Sequence, residues 1–150
     1  MIKTSFINYG DVSYKMVSKK EELSKLTQDL IRFKTTKENI AELNKCVEYI
    51  KDYFTDCDVV IKEFKSNNKP SLVISYEDTK NPKLLLNGHI DVVEAEEEQY
   101  NPRIEGDKLF GRGSVDMKAG VAALMLLMKE GSKKDKKPDV ALMIVPDEEI

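Results

Sequence analysis

Leu84-Leu85-Leu86-Asn87-Gly88-His89-Ile90-Asp91-Val92-Val93 runs from a short apolar segment through a glycine to a histidine and an aspartate spaced two apart. An apolar run of this kind is what fills a covered sheet, so Leu84–Leu86 predicts a buried strand and sets His89 just past its end. In open α/β sheets that is where ligands bind. The pattern recurs downstream, where Val140-Ala141-Leu142-Met143-Ile144-Val145 leads into Pro146-Asp147-Glu148-Glu149-Ile150. Between the two, Gly111-Arg112-Gly113-Ser114-Val115-Asp116-Met117-Lys118 precedes the nearly all-apolar run Val121–Met128, which has the length of a helix.

Working outward toward the N-terminus, residues 1–17 show no periodicity. Ser18-Lys19-Lys20-Glu21 has the spacing of a capping box, and Leu23, Leu26, Leu30 and Ile31 form one helical stripe, which predicts a helix from about Lys19 to Phe33. Thr35-Thr36-Lys37-Glu38 repeats the start signal ahead of Ile40, Leu43, Val47, Ile50 and Phe54, a second helix. From Val59 to Phe64 and from Leu72 to Tyr76 the apolar residues fit strands, joined by a turn over Lys65–Pro70, an antiparallel pair. The fold class expected is α/β, with helices packed on a mixed β-sheet, in a single domain without internal repeats.

The 150-residue chain is 41% hydrophobic and 34% charged, with a formal net charge of -3. Acids and bases are interspersed, which gives no electrostatic reason to expect nucleic acid or an anionic membrane as partner. Cys46 and Cys57 are too few for a disulfide framework in a chain of this size and neither sits in a Cys-x-x-Cys pair, and the N-terminal residues lack the apolar core of an export signal. A cytoplasmic protein with reduced thiols is expected. No Gly-Lys-Ser/Thr ending and no Gly-x-Gly-x-x-Gly phrase accompanies the glycines, so nucleotide binding is not expected.

The chemistry rests on His89, Asp91, Asp116, Glu148 and Glu149. If the strand persists past His89, Asp91 shares its face and accepts a hydrogen bond from one imidazole nitrogen while the other faces a metal. The oxygens of Asp116 are able to bridge two cations. Of the adjacent Glu148 and Glu149, one can ligate while its neighbour moves a proton. Each residue also has a plainer reading: His89 as a hydrogen-bonded side chain, Asp116 as the N-cap of its helix, and the glutamates as a solvated strand end. Against the last, three carboxylates directly after a core strand concentrate a repulsion that a cation relieves. Glu94, Glu96, Glu97 and Glu98 read as a solvated loop, as do Lys133–Pro138, and Met125 and Met128 as core filler.

His-x-Asp-Val-Val, Gly-Arg-Gly-x-x-Asp-Met-Lys and Asp-Glu-Glu, in that order, resemble the dinuclear zinc amidohydrolases and metallopeptidases that include acetylornithine deacetylase, succinyl-diaminopimelate desuccinylase, aminoacylase and glutamate carboxypeptidase. The likeness runs from about Leu23 to the last residue. It implies a zinc-peptidase-like α/β fold in which His89 ligates a first zinc, Asp116 bridges, Glu149 ligates a second zinc, Glu148 is the general base and Asp91 supports His89. Cobalt or manganese are alternatives to zinc. It further implies cleavage of an amide bond in an N-acyl amino acid or small peptide, and a non-proline cis peptide after Asp116.

The resemblance also implies parts that residues 1–150 do not contain: a further acidic ligand, a second histidine and a lid or dimerisation domain. The expectation is the N-terminal portion of one catalytic domain, inactive alone and weak in metal binding, with a sheet edge open to self-association. A non-catalytic interaction module and a one-metal binding protein are the alternative readings.

Overall fold

In the computed structural model, which describes residues 10–149, the chain forms helices α1 (Gly10–Arg32) and α2 (Ile40–Tyr53), a hairpin of β1 (Val60–Ser66) and β2 (Lys69–Ser75), and strand β3 (Leu84–His89). A small hairpin of β4 (Arg103–Glu105) and β5 (Lys108–Phe110), helix α3 (Lys118–Ser132) and strand β6 (Val140–Val145) follow. The main sheet has the order β1-β2-β6-β3. β1–β2 and β2–β6 are antiparallel and β3–β6 parallel, so the sheet is mixed, as expected. The β1–β2 turn is built by Asn67 and Asn68, both with positive φ (50° and 65°), a conformation asparagine tolerates and a two-residue hairpin requires.

One face of the sheet presents Leu72, Ile74, Leu142 and Ile144 to the helices, which answer with Leu26 and Leu30 from α1, Leu43, Val47 and Ile50 from α2, and Val121, Ala122, Met125 and Met128 from α3. The two methionines are core filler, and both cysteines are free thiols. Gly88 of β3 lets α3 approach the sheet closely: a Cβ there would lie 3.0 Å from Val121 Cγ2.

Several expectations need correcting. α1 reaches upstream to Gly10, the first described residue, rather than starting at Lys19, so Ser18 lies inside it; each added helical residue gains a hydrogen bond without a new nucleus, and a helix can therefore extend upstream of its apolar stripe. Residues 1–9 of the aperiodic N-terminal stretch lie outside the described residues. α2 is capped by Asn39, whose Oδ1 accepts the Glu42 N–H at 3.3 Å, and not by the Thr35-Thr36 pair. Leu84 and Leu85 are 55% and 50% exposed: β3 is an edge strand, Leu85 points to the sheet face that no helix covers among the described residues, and Leu84, on the helix side, sits at the strand's first position where that cover ends. The β4–β5 hairpin was not expected; Gly106, at φ 63°, makes its turn. No helix among the described residues is long and apolar enough to cross a membrane.

Candidate metal centre

β3 and β6 run parallel and in register, His89 opposite Val145, so both chains leave the sheet at the same end. The Ile90 N–H continues the ladder to the Val145 carbonyl at 2.9 Å. The histidine and a run of three acids thereby emerge side by side. Asp116 arrives from the third direction, immediately before α3, with a cis peptide joining it to Met117. It is not the helix cap: Met117 occupies that position, and the Asp116 side chain is 74% exposed and turned toward His89.

His89 is only 4% exposed. Its Nδ1 donates to the Asp91 backbone carbonyl at 3.1 Å, with the Asp91 Oδ1 carboxylate oxygen at 3.4 Å. β3 ends at His89, so Asp91 does not continue a strand face; the turn that follows brings its carbonyl, ahead of its carboxylate, to the ring. Nε2 faces Asp116 Oδ1 at 3.1 Å and Glu148 Oε2 at 3.7 Å. Asp91 Oδ2 accepts the Glu149 N–H at 2.8 Å, a link between the two ligand loops that the sequence did not announce. Ligand atoms of His89, Asp116 and Glu149 all lie within 4.8 Å of one another. The structure thus brings together all five residues singled out from the sequence.

The electrostatics suit a cation. Burial alone depresses the His89 pKa, but the Asp116 hydrogen bond, the Asp91 carbonyl and the charges of Asp91 and Glu148 outweigh it, and the net shift is upward. One imidazole surrounded by carboxylates holds its proton because positive charge is favoured at that point; a divalent ion satisfies the same field. With Nδ1–H fixed by the Asp91 carbonyl, Nε2 is the nitrogen left for a metal. One imidazole nitrogen and two carboxylates suit zinc and also harder divalent ions. Asp91 Oδ1 is buried without a hydrogen-bond partner, a carboxylate oxygen whose charge a nearby cation would compensate. The donor set fits a divalent metal.

Lys118 and Thr35 stand behind the site; read from the sequence, Lys118 has no role of its own and Thr35 only a part in a helix start signal. Lys118 is fully buried, which holds its ammonium down at about 8, and its Nζ donates to the Phe33 carbonyl at 2.7 Å. Gly113, at φ 79°, packs against it: a Cβ there would lie 2.8 Å from Val92 Cγ1 and 3.0 Å from Lys118 Cδ. The acidic stretch from Glu94 to Glu98 is solvated, with Glu97 paired to Lys34.

Residues 85–150 match the model of peptidase family M20/M25/M40. Among sequence relatives, a probable succinyl-diaminopimelate desuccinylase of Staphylococcus aureus (strain MRSA252) is 32% identical over 134 residues, which cover 85% of this chain and 32% of that protein. The chain therefore spans about a third of the length of such relatives. Two solved structures share its fold. An M20 family metallo-carboxypeptidase from Sulfolobus solfataricus aligns with a TM-score of 0.72 at 18% identity, over 85% of this chain and 31% of its own. Human carnosine dipeptidase 1 aligns with a TM-score of 0.71 at 15% identity, over 89% of this chain and 33% of its own.

Proposed function

The chain carries the N-terminal part of a domain of peptidase family M20/M25/M40, and on that premise we propose that it supplies the first half of a zinc-dependent amidohydrolase centre acting on an N-acyl amino acid or small peptide. The observation that carries this reading is the meeting of His89 Nε2, Asp116 and Glu149 within 4.8 Å at the shared end of β3 and β6. His89 would hold one ion, Glu149 the other, and Asp116 would be shared between them. A bound zinc supplies a Lewis acid that polarises an amide carbonyl and makes water acidic near neutral pH.

Glu148 is the general base. Its carboxylate lies beside Nε2 of His89, more than half exposed, where a substrate has access to it. There it takes a proton from the attacking water and returns it to the leaving amine nitrogen. Asp91 holds the His89 ring by its carbonyl and the Glu149 backbone by its carboxylate, so it keeps both ligands in place and touches no reacting atom. The similarity to a probable desuccinylase supports an N-succinyl or similar acyl group as the part removed.

The test is a zinc titration of the chain by calorimetry with H89A, D116A, E149A and E148Q beside the parent. The first three lose zinc, whereas E148Q keeps it. E148Q also abolishes hydrolysis of N-acyl amino acids by any preparation in which the parent is active. Zinc retained by H89A, or turnover surviving in E148Q, overturns the assignment. By itself the chain is expected to bind zinc weakly and to turn over no substrate, since three ligands shared between two ions leave each short of the roughly three protein ligands of a catalytic zinc. The convergence of the three donors on one point favours a second reading, a single-ion binding protein, and a stoichiometry of one tightly held ion with no hydrolysis by any longer form would support it.

A further inference from the structure

The loop between α1 and α2 touches the two chain segments that carry His89 and Asp116, although it holds no ligand of its own. Thr35 is completely buried; its hydroxyl donates to the Ile90 carbonyl, and its own carbonyl accepts the Val92 N–H at 3.0 Å. Those two bonds grip the chain on either side of Asp91, directly after His89. Two residues earlier in the same loop, the Phe33 carbonyl accepts the Lys118 ammonium at 2.7 Å. Lys118 lies two residues past Asp116, and its N–H donates to the Gly113 carbonyl at 2.8 Å, closing the turn on which Asp116 sits.

A buried ammonium is costly unless its bonds serve the fold, and this one donates to a carbonyl of a loop distant in sequence. A threonine at a loop position ordinarily turns its hydroxyl to the local backbone. Thr35 instead spans fifty-five positions of sequence to a carbonyl next to His89. Phe33–Thr36 is therefore, among the described residues, a piece of chain bonded to both ligand segments.

We infer that Thr35 and Lys118 are positioning residues, which use the Phe33–Thr36 loop as a common brace to hold His89 and Asp116 at the separation that lets one cation touch both. This rests on the reading of His89 and Asp116 as metal ligands, and deepens it. The brace fixes the distance between two ligands that otherwise lie on independent loops, one ending a strand and the other preceding a helix. Ligand geometry is demanding, so a modest slackening of either segment lowers affinity without unfolding the sheet.

His89 is the only histidine in the chain, so its side-chain nitrogens give one unambiguous pair of 15N resonances. These are recorded for the parent, T35V, T35S, K118M and D116A, together with Zn2+ affinity by calorimetry and the dispersion of amide signals from β1 and β2. In T35V and K118M the Nε2 resonance moves toward its D116A position and the zinc Kd rises at least tenfold, while the amides of β1 and β2 stay in place. T35S, which keeps the hydroxyl, matches the parent. Unchanged imidazole resonances and unchanged zinc affinity in both T35V and K118M overturn the brace, whatever happens to stability. If T35V does not fold, T35A and T35S, which differ by the hydroxyl, carry the same comparison. A parent that binds no zinc while T35V still moves the Nε2 resonance leaves the brace standing and removes the metal reading; a parent that binds zinc with T35V and K118M indistinguishable from it does the reverse.

Discussion

Asp91 serves two neighbours at once, its carbonyl on the His89 ring and its Oδ2 on the Glu149 backbone. Removing the carboxylate leaves the carbonyl bond intact but frees the Glu149 loop. D91A is therefore expected to lower zinc affinity about 10–100-fold, the usual effect of losing a partner that orients ligands, read by competition against a chromophoric chelator. Affinity equal to the parent would show that the Glu149 loop is held by something else. Thr35 and Lys118 show how much can stay hidden at this scale. Threonine in a loop and lysine after an Asp-Met pair each have ordinary local uses, and only their distant carbonyl partners give them another.

Between elements, α3 is the helix that meets both α1 and the sheet. At its end Gly131 leaves room for Tyr76 of the chain beyond β2, whose hydroxyl donates to the Met128 carbonyl at 3.0 Å. A Cβ on Gly131 would lie 1.9 Å from that hydroxyl oxygen. G131A is expected to cost about 1–3 kcal/mol by overpacking, measured by chemical denaturation, with part of the loss recovered in the Y76F background. On the other flank, Glu130 of α3 pairs with Lys19 of α1 at 2.7 Å and with Lys133 at 2.7 Å. Hydrogen bonds from Lys133 and then Lys19 hold its carboxyl down at about 2. A depressed carboxylate stabilises the folded state above the ordinary value of 4.5, and that contribution fades as the pH falls from there toward about 2. E130Q is expected to be less stable than the parent by ~1 kcal/mol at pH 7, with the difference closing over that acid range. A constant gap from pH 7 to pH 3 would refute the ion-pair account.

Taken as a whole, the molecule has a core on one side of its sheet and its candidate metal ligands at one end. The proposed metal donors come from the ends of β3 and β6 and from the segment before α3, which approach one another only when the sheet is formed and α3 is docked. Zinc should therefore stabilise the fold, since the unfolded chain has no such cluster. At a free concentration of 100 times Kd the gain is about 2.7 kcal/mol, or a rise in Tm of roughly 5–10 °C for a chain of this size. Differential scanning calorimetry with and without Zn2+ checks this, and H89A should show no rise. An equal rise in H89A would place the ion elsewhere. The other face of the sheet is less complete: Phe64, Val73, Leu85 and Met143 line an open groove, with Phe64 and Leu85 half exposed.

What the residues determined unaided was the alternation of helical and strand periods and the identity of the five polar side chains at the site. Each of those is local: a stripe such as Leu43, Val47 and Ile50, or a motif such as His89-x-Asp91, carries its meaning within a few positions. That α1 reaches upstream to Gly10, that Asn39 rather than a threonine caps α2, and that Leu84 and Leu85 are left half exposed were decided by the assembled molecule. Helix extent, cap choice and strand order depend on what packs alongside, and an apolar run looks the same at the edge of a sheet as at its centre. The same holds for the bonds from Thr35 to Ile90, from Lys118 to Phe33 and from Asp91 to Glu149. They join residues distant along the chain through backbone groups that every residue possesses, and a backbone carbonyl leaves no mark in a sequence.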